Sequence, residues 1–364
     1  MKSFSILALA MFAAAAFGQE PATPAPEIPF DSVPNLLKLP ADIHMGEASG
    51  VAVNSKKHIF VYSRGNSTGP AYAATASQIL EFGPDGRYIR EIGKNLYAWS
   101  YAHTVRVDKD DNLWAVDKGS DMIIKFNPEG RVVMVFGRKK EASDEGAEAW
   151  KRVTPPRPAV DGQFRQPTDV TWDPQGDIFI SDGYVNSRVA KFDKNGDWVK
   201  QWGDRGTKQG EFNTPHSIAA DAKGNIYVAD RGNRRIQVFD SDGNFQREVH
   251  INVPVPPVIH PWMGNPPTAQ ALAAQNGAPW AICITPGPTQ YLYSADAMPG
   301  RVYKLSLDGQ VLGVLGSSGR QMKQFGWIHE MACPAENELY VGEILNWRVQ
   351  KLVLHPTKAS TSTN

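Results

Sequence analysis

Apolar residues in this chain come in short runs separated by turn sequences, and the same order of runs and turns returns along its length. Two neighbouring stretches show the unit: QPTDVTWDPQGDIFISDGYVNSRVAKFDKNGDWVKQWG from Gln166 and TPHSIAADAKGNIYVADRGNRRIQVFDSDGNFQREV from Thr214. Each reads as an apolar strand, a D-x-x-G turn, a strand ending at Asp182 or Asp230, and a loop holding N-x-R. A strand ending at Phe192 or Phe239 follows, then a second Gly-containing turn and a last strand. Runs of this length divided by such turns predict a four-stranded antiparallel meander. Ile178 and Ile180, like Ile226 and Val228, fall on one side of their strands, with small or polar residues expected on the other.

The same frame fits four further stretches, those beginning at Gly50, His103, Trp280 and His329, so the unit occurs six times. One meander has two apolar faces and cannot stand alone; six arranged radially bury each face against a neighbour and close into a ring. The expected fold is therefore all-β, a single six-bladed β-propeller over residues 35–355. The last unit ends after Leu352, short of an outer strand, and Asn35 to Leu39 (NLLKL) is expected to pair there and fasten the ring. Helical patterns are confined to KKEASDEGAEAWKR from Lys139 and TAQALAAQNG from Thr268, in two long insertions expected to rim one mouth of the ring. Long loops on a rigid scaffold tend to line binding sites, so function is expected at that mouth.

Aligned at the start of the innermost strand, the six units read Ser49-Gly50-Val51, His103-Thr104-Val105, Thr168-Asp169-Val170, His216-Ser217-Ile218, Trp280-Ala281-Ile282 and His329-Glu330-Met331. Histidine fills the first place in units two, four and six. Alternate blades of a six-fold ring stand 120° apart, so three side chains at that register converge on the axis with trigonal symmetry. The chain has eight histidines, and three in strict alternation outweigh the usual reading of a buried histidine as a hydrogen-bonded core residue. Three imidazoles without cysteine suit Zn²⁺ with an open fourth position, although iron and copper accept the same ligands. Glu330 neighbours His329 and is expected to point away from it along the strand. At the same mouth, Arg64 and Arg231 follow the second strands of units one and four, and Tyr184 stands one place further on in unit three. Arg188, Arg235 and Arg348, in the recurring loop element, are expected to bind carboxylates of neighbouring blades.

Charge and composition narrow the partners. With 38 basic against 38 acidic residues the chain has no net field to steer it to nucleic acid or an anionic membrane, which leaves a small-molecule or peptide substrate. Lys2 followed by an apolar, Ala-rich run to Phe17 has the form of a signal peptide over 1–18, too short to stay in a bilayer, so a secreted or periplasmic location is expected, without membrane insertion after cleavage. A Pro-rich lead (19–34) and a polar tail (356–364) complete the domain plan. The two cysteines, Cys283 and Cys333, are expected as separate buried thiols, a single bridge being the alternative.

Taken together, SGVAV with Arg64, GKNLYAWSYAHTV, QPTDV with SDGYVNSR, TPHSIAA with VADR, and WIHEM resemble the lyase domain of the peptide-amidating enzymes, the peptidyl-α-hydroxyglycine α-amidating lyase family, and the repeats resemble NHL repeats. The resemblance covers nearly the whole chain after the leader. It implies zinc held by His103, His216 and His329, Tyr184 as catalytic base, and Arg64 and Arg231 as partners of the base or the substrate. It also implies a structural Ca²⁺ on the axis, bound by the carbonyls of Val51 and Val105 and by an acidic side chain. That acid is Glu330 here, where the family has aspartate; the family's methionine is Trp327, expected to reshape the substrate pocket. Its paired cysteines are Arg165 with Val185 and Tyr227 with Val238. The activity implied is zinc-dependent cleavage of the C–N bond of a peptidyl-α-hydroxyglycine to an amide and glyoxylate. The alternatives are a secreted propeller that binds a peptide, glycan or protein without turnover and, more weakly, a lactonase, whose calcium-binding Glu, Asn and Asp set does not match histidines on the axis.

Overall fold

The computed structural model describes residues 22–65, 77–139, 153–260 and 267–355. The expected leader, the tail and nearly all of the helix expected from Lys139 lie outside them. The described chain forms six four-stranded antiparallel sheets. Blade one runs Glu47–Val53, Ile59–Arg64, Ser77–Phe82 and Tyr88–Ile92. Blade two runs Ala102–Val107, Leu113–Asp117, Met122–Phe126 and Val132–Gly137. Blades three and four start at Asp169–Trp172 and Pro215–Ala220, blade five at Ala281–Ile284 and blade six at Ile328–Ala335. Innermost strands of successive blades pack in ring order, and that of blade six meets that of blade one. The molecule is a six-bladed propeller, as the repeat predicts.

Burial departs from simple alternation. Phe179 and Tyr227, on the faces expected to be small or polar, are as fully buried as Ile178, Ile180, Ile226 and Val228. A blade has a neighbour on each side, so both faces of its inner strands are core. Only the outermost strands expose side chains, as at Val132, Val133 and Val135.

The ring is closed by Phe30–Ser32, which pairs with the third strand of blade six in the register Phe30↔Leu354, Asp31↔Val353, Ser32↔Leu352. Asn35 to Leu39 does not occupy that edge: Leu36, Leu37 and Leu39 pack on the core of blade one, and Lys38 bridges Arg87. Glu27 bridges Val314 of blade five. Residues 27–39 thus form a strap over three consecutive blades. Its prolines remove donors without disturbing a segment that lies at sheet edges. The helix from Thr268 is present as Ala269–Gln275, with the Thr268 hydroxyl accepting the Ala271 N–H.

Two further expectations change. Cys283 and Cys333 are joined, with Cα atoms 6.1 Å apart on the inner strands of blades five and six. The recurring arginines bind carboxylates of their own blade: Arg188 to Asp182 at 3.0 Å, Arg235 to Asp230 at 2.9 Å, Arg348 to Glu343 at 2.7 Å. Each carboxylate also accepts a backbone N–H from the chain entering its blade, at Arg165, Asn213 and Gly326 respectively. The pair therefore anchors the loop that leads to the innermost strand. Arg188 and Asp182 are both buried, so replacement by Arg188→Met, which strands the carboxylate, is expected to cost about 3–5 kcal/mol in a denaturant melt.

Candidate metal centre

Each of the three phased histidines sits on a break in strand register. The pairing slips between Ala102 and Thr104, between Pro215 and Ser217, and between Ile328 and Glu330. A bulge leaves one residue unpaired and re-aims its side chain, and here that residue is the histidine. Ring centroids of His103, His216 and His329 are 4.8, 4.6 and 4.9 Å apart, a nearly equilateral triangle. One ligand nitrogen from each lies within 4.8 Å of the others, and all three residues are buried.

The intervening blades orient the rings. His103 Nδ1 donates to the Thr168 carbonyl at 2.6 Å, His216 Nδ1 to that of Trp280 at 2.7 Å, and His329 Nδ1 to that of Ser49 at 2.7 Å. Those carbonyls belong to the same register position in blades three, five and one. Even blades contribute imidazoles and odd blades the backbone that fixes their tautomer, leaving each Nε2 unprotonated. Burial holds all three imidazoles well below their ordinary pKa; the other two histidines add to this at His103, Arg231 and His329 at His216, and Arg64 at His329. Three neutral nitrogens with converging lone pairs, away from water, fit a cation, and the all-imidazole donor set fits Zn²⁺ with a position left open.

Tyr184 covers this triangle. Its hydroxyl is 3.1 Å from His216 Nε2 and 3.3 Å from His103 Nε2. Burial pushes the phenol up, while Arg231 and then Arg64 pull it back. The Arg231 guanidinium lies 3.9 Å from the centroid of Trp280 and 5.7 Å from that of Tyr184, and among the described residues no carboxylate is paired with it. Arg64 is more committed: Nε donates to the Ala102 carbonyl at 2.8 Å, Nη1 meets Glu47 at 2.8 Å, and the guanidinium stacks on Tyr101 at 4.0 Å. It steadies the backbone next to His103. Trp327 stands edge-on to Trp280 with centroids 5.0 Å apart, so the two indoles form one apolar wall.

Lys118 belongs to the same mouth and was not singled out from sequence. Its ammonium is 3.9 Å from the Tyr184 centroid. It follows Asp117 as Arg231 follows Asp230, so the signal was the register already used for Arg64 and Arg231. Burial, then Arg64 and Arg231, pull its pKa down to about 8. Glu47, opposite Arg64 in strand register, was likewise missed.

The expected calcium ligands are arranged otherwise. Glu330 turns away from His329 as expected and stays outside the histidine triangle, its carboxylate reaching Arg106 instead. Its Oε2 accepts the Val105 N–H at 3.1 Å, and its Oε1 lies 3.0 Å from Arg106 Nε. Oε1 accepts no hydrogen bond, and the Arg106 guanidinium stands beside it where the expected cation would be.

An NHL repeat family model matches residues 212–239. The chain is 26% identical over 333 residues to peptidyl-glycine alpha-amidating monooxygenase A of Xenopus laevis, covering 83% of this chain and 31% of that protein. It is 27% identical over 289 residues to peptidyl-alpha-hydroxyglycine alpha-amidating lyase 1 of Drosophila melanogaster, covering 76% of this chain and 49% of that one. It thus spans about a third to a half of the length of these relatives. A catalytically inactive virginiamycin B lyase of Staphylococcus aureus, solved with quinupristin, superposes over 92% of this chain and 90% of its own with a TM-score of 0.52 at 12% identity, a likeness of fold. The chain is an NHL-repeat six-bladed propeller homologous to the peptidyl-α-hydroxyglycine α-amidating lyases.

Proposed function

We propose that this protein is a carbon–nitrogen lyase that splits a peptidyl-α-hydroxyglycine into a peptide amide and glyoxylate. The observation that carries the reading is the Tyr184 hydroxyl seated against two nitrogens of the buried histidine triangle, with cations facing it from the mouth. In the reaction the carbinol hydroxyl loses its proton, its oxygen forms the aldehyde C=O, the C–N pair leaves with nitrogen, and nitrogen gains a proton. A zinc ion held by His103, His216 and His329 would supply Lewis acidity and a positive field at the centre.

The chain's own residues supply the rest. Tyr184 Oη, as the phenolate, takes the hydroxyl proton as base and becomes a neutral phenol; Arg231, Arg64 and Lys118 lower the cost of holding that phenolate beforehand. A carboxylate on the substrate fits between two of these cations, Arg231 offering a planar fork and Lys118 a point charge. Arg64, paired with Glu47, acts by holding the Ala102 carbonyl and through its field. The Trp280 and Trp327 wall receives apolar surface of the peptide and limits what the pocket admits. The Cys283–Cys333 bond supports an oxidising, extracytoplasmic setting, and no helix among the described residues is long and apolar enough to cross a membrane.

Incubation of zinc-loaded protein with an α-hydroxyglycyl peptide, with glyoxylate and amide quantified, tests the reading. A zinc-loaded sample that binds such peptides and releases no glyoxylate would turn it toward a non-catalytic binding module. Lys118 gives the assay a pH signature. Its ammonium is present below about pH 8 and lost above, so KM is expected to rise through that range, by about 5- to 10-fold. Lys118→Met should show the high KM throughout and no such step.

A further inference from the structure

The axis below the histidine triangle is occupied by a side chain of the protein itself. Arg106 lies three residues after His103 on the inner strand of blade two. It grips Asp169 of blade three with two nitrogens, Nε at 2.9 Å and Nη2 at 2.5 Å. Nη1 donates to the Met331 carbonyl of blade six at 3.1 Å, and Nη2 also reaches Ser217 Oγ of blade four at 3.2 Å and the Ile282 carbonyl of blade five at 3.3 Å. Nε stands 3.0 Å from Glu330 Oε1. Blade one joins through Glu330, whose carboxylate also takes a backbone hydrogen bond from Val51. Asp169 Oδ2 in turn accepts Ser217 Oγ at 2.7 Å and the Ile218 N–H at 3.0 Å.

We propose that the Arg106 guanidinium is the axial cation of this propeller, a covalently tethered substitute for the structural calcium that the family resemblance implies. The argument is one of donors and charge. Calcium needs six to eight oxygens facing it. Three of the four carboxylate oxygens of Asp169 and Glu330 already accept N–H groups, which a metal would have to displace, and the fourth, Glu330 Oε1, accepts no hydrogen bond and faces Arg106 Nε at 3.0 Å. An ion placed between Asp169 and Glu330 would also meet a fixed positive charge at hydrogen-bonding range. A guanidinium has five N–H donors in one plane, and the structure gives partners to its Nε, Nη1 and Nη2 in four blades besides its own. A tethered cation cannot be lost to a chelator, so the ring is held together independently of free calcium. The inference stands whether or not the histidine site turns over a carbinolamide.

The test is the thermal melt of the whole protein in EGTA and in excess CaCl₂, with terbium luminescence as a direct probe of a calcium-type site. Wild-type protein is expected to melt within about 1 °C in the two buffers and to show no saturable terbium site. Arg106→Ser, which removes the cation and leaves a small side chain, is expected to melt about 5–15 °C lower, with Arg106→Lys between the two. A saturable rise in the wild-type melting temperature with calcium, one terbium bound per chain, or an Arg106→Ser protein as stable as wild type would overturn the proposal. If Arg106→Ser does not fold, the wild-type calcium and terbium titrations decide alone.

Discussion

Replacing His216 by Ala is expected to abolish stoichiometric zinc binding and to lower glyoxylate release by at least about 10³-fold, the scale of losing a Lewis-acid centre. Two imidazoles remain, His103 and His329, whose centroids are 4.6 Å apart, but a tetrahedral ion that needs three protein ligands and one open place loses a corner. The Trp280 carbonyl, which accepts from His216 Nδ1 at 2.7 Å, is stranded, at a cost of about 1–3 kcal/mol. Melting therefore falls modestly while metal and activity fall together. Elemental analysis beside the glyoxylate assay checks this; a variant that retains one zinc per chain would dismantle the trigonal assignment.

Tyr184→Phe should behave differently. Only an oxygen is removed, the ring keeps its packing beside His103 and His216 at centroid distances of 5.5 and 5.8 Å, and the imidazoles keep their carbonyl partners. Zinc content is expected to stay at the wild-type level while kcat falls by about 10²–10⁴-fold, the range for loss of a positioned acid–base group, with KM changed little. An unchanged kcat would remove Tyr184 from the chemistry and favour a site that binds without turnover. The pair of variants separates holding the metal from moving the proton.

The histidine triangle was legible in the sequence because a propeller converts a periodic register into a rotation. Residues at one place in units two, four and six must meet at the axis if the ring closes. Their carbonyl partners were not legible, because any residue type has a carbonyl, and nothing in Ser49, Thr168 or Trp280 announces which atom will be used. The bulges that turn the imidazoles inward were hidden for the same reason: a bulge is a property of pairing between two strands. Lys118 could have been found, since it shares the register of Arg64 and Arg231.

What the sequence by itself determined is the repeated unit, the number of blades, the three imidazoles and the phenol at one mouth, all consequences of local turn chemistry and period. The tertiary structure decided which edge the strap closes, where Leu36 and Leu37 pack, that Cys283 meets Cys333, and that Arg106 fills the axis. Each of these is a contact between segments far apart in the chain. Such contacts depend on which partner lies within reach once the ring has closed. That distance is set by the geometry of six packed sheets and is not written in any one of them.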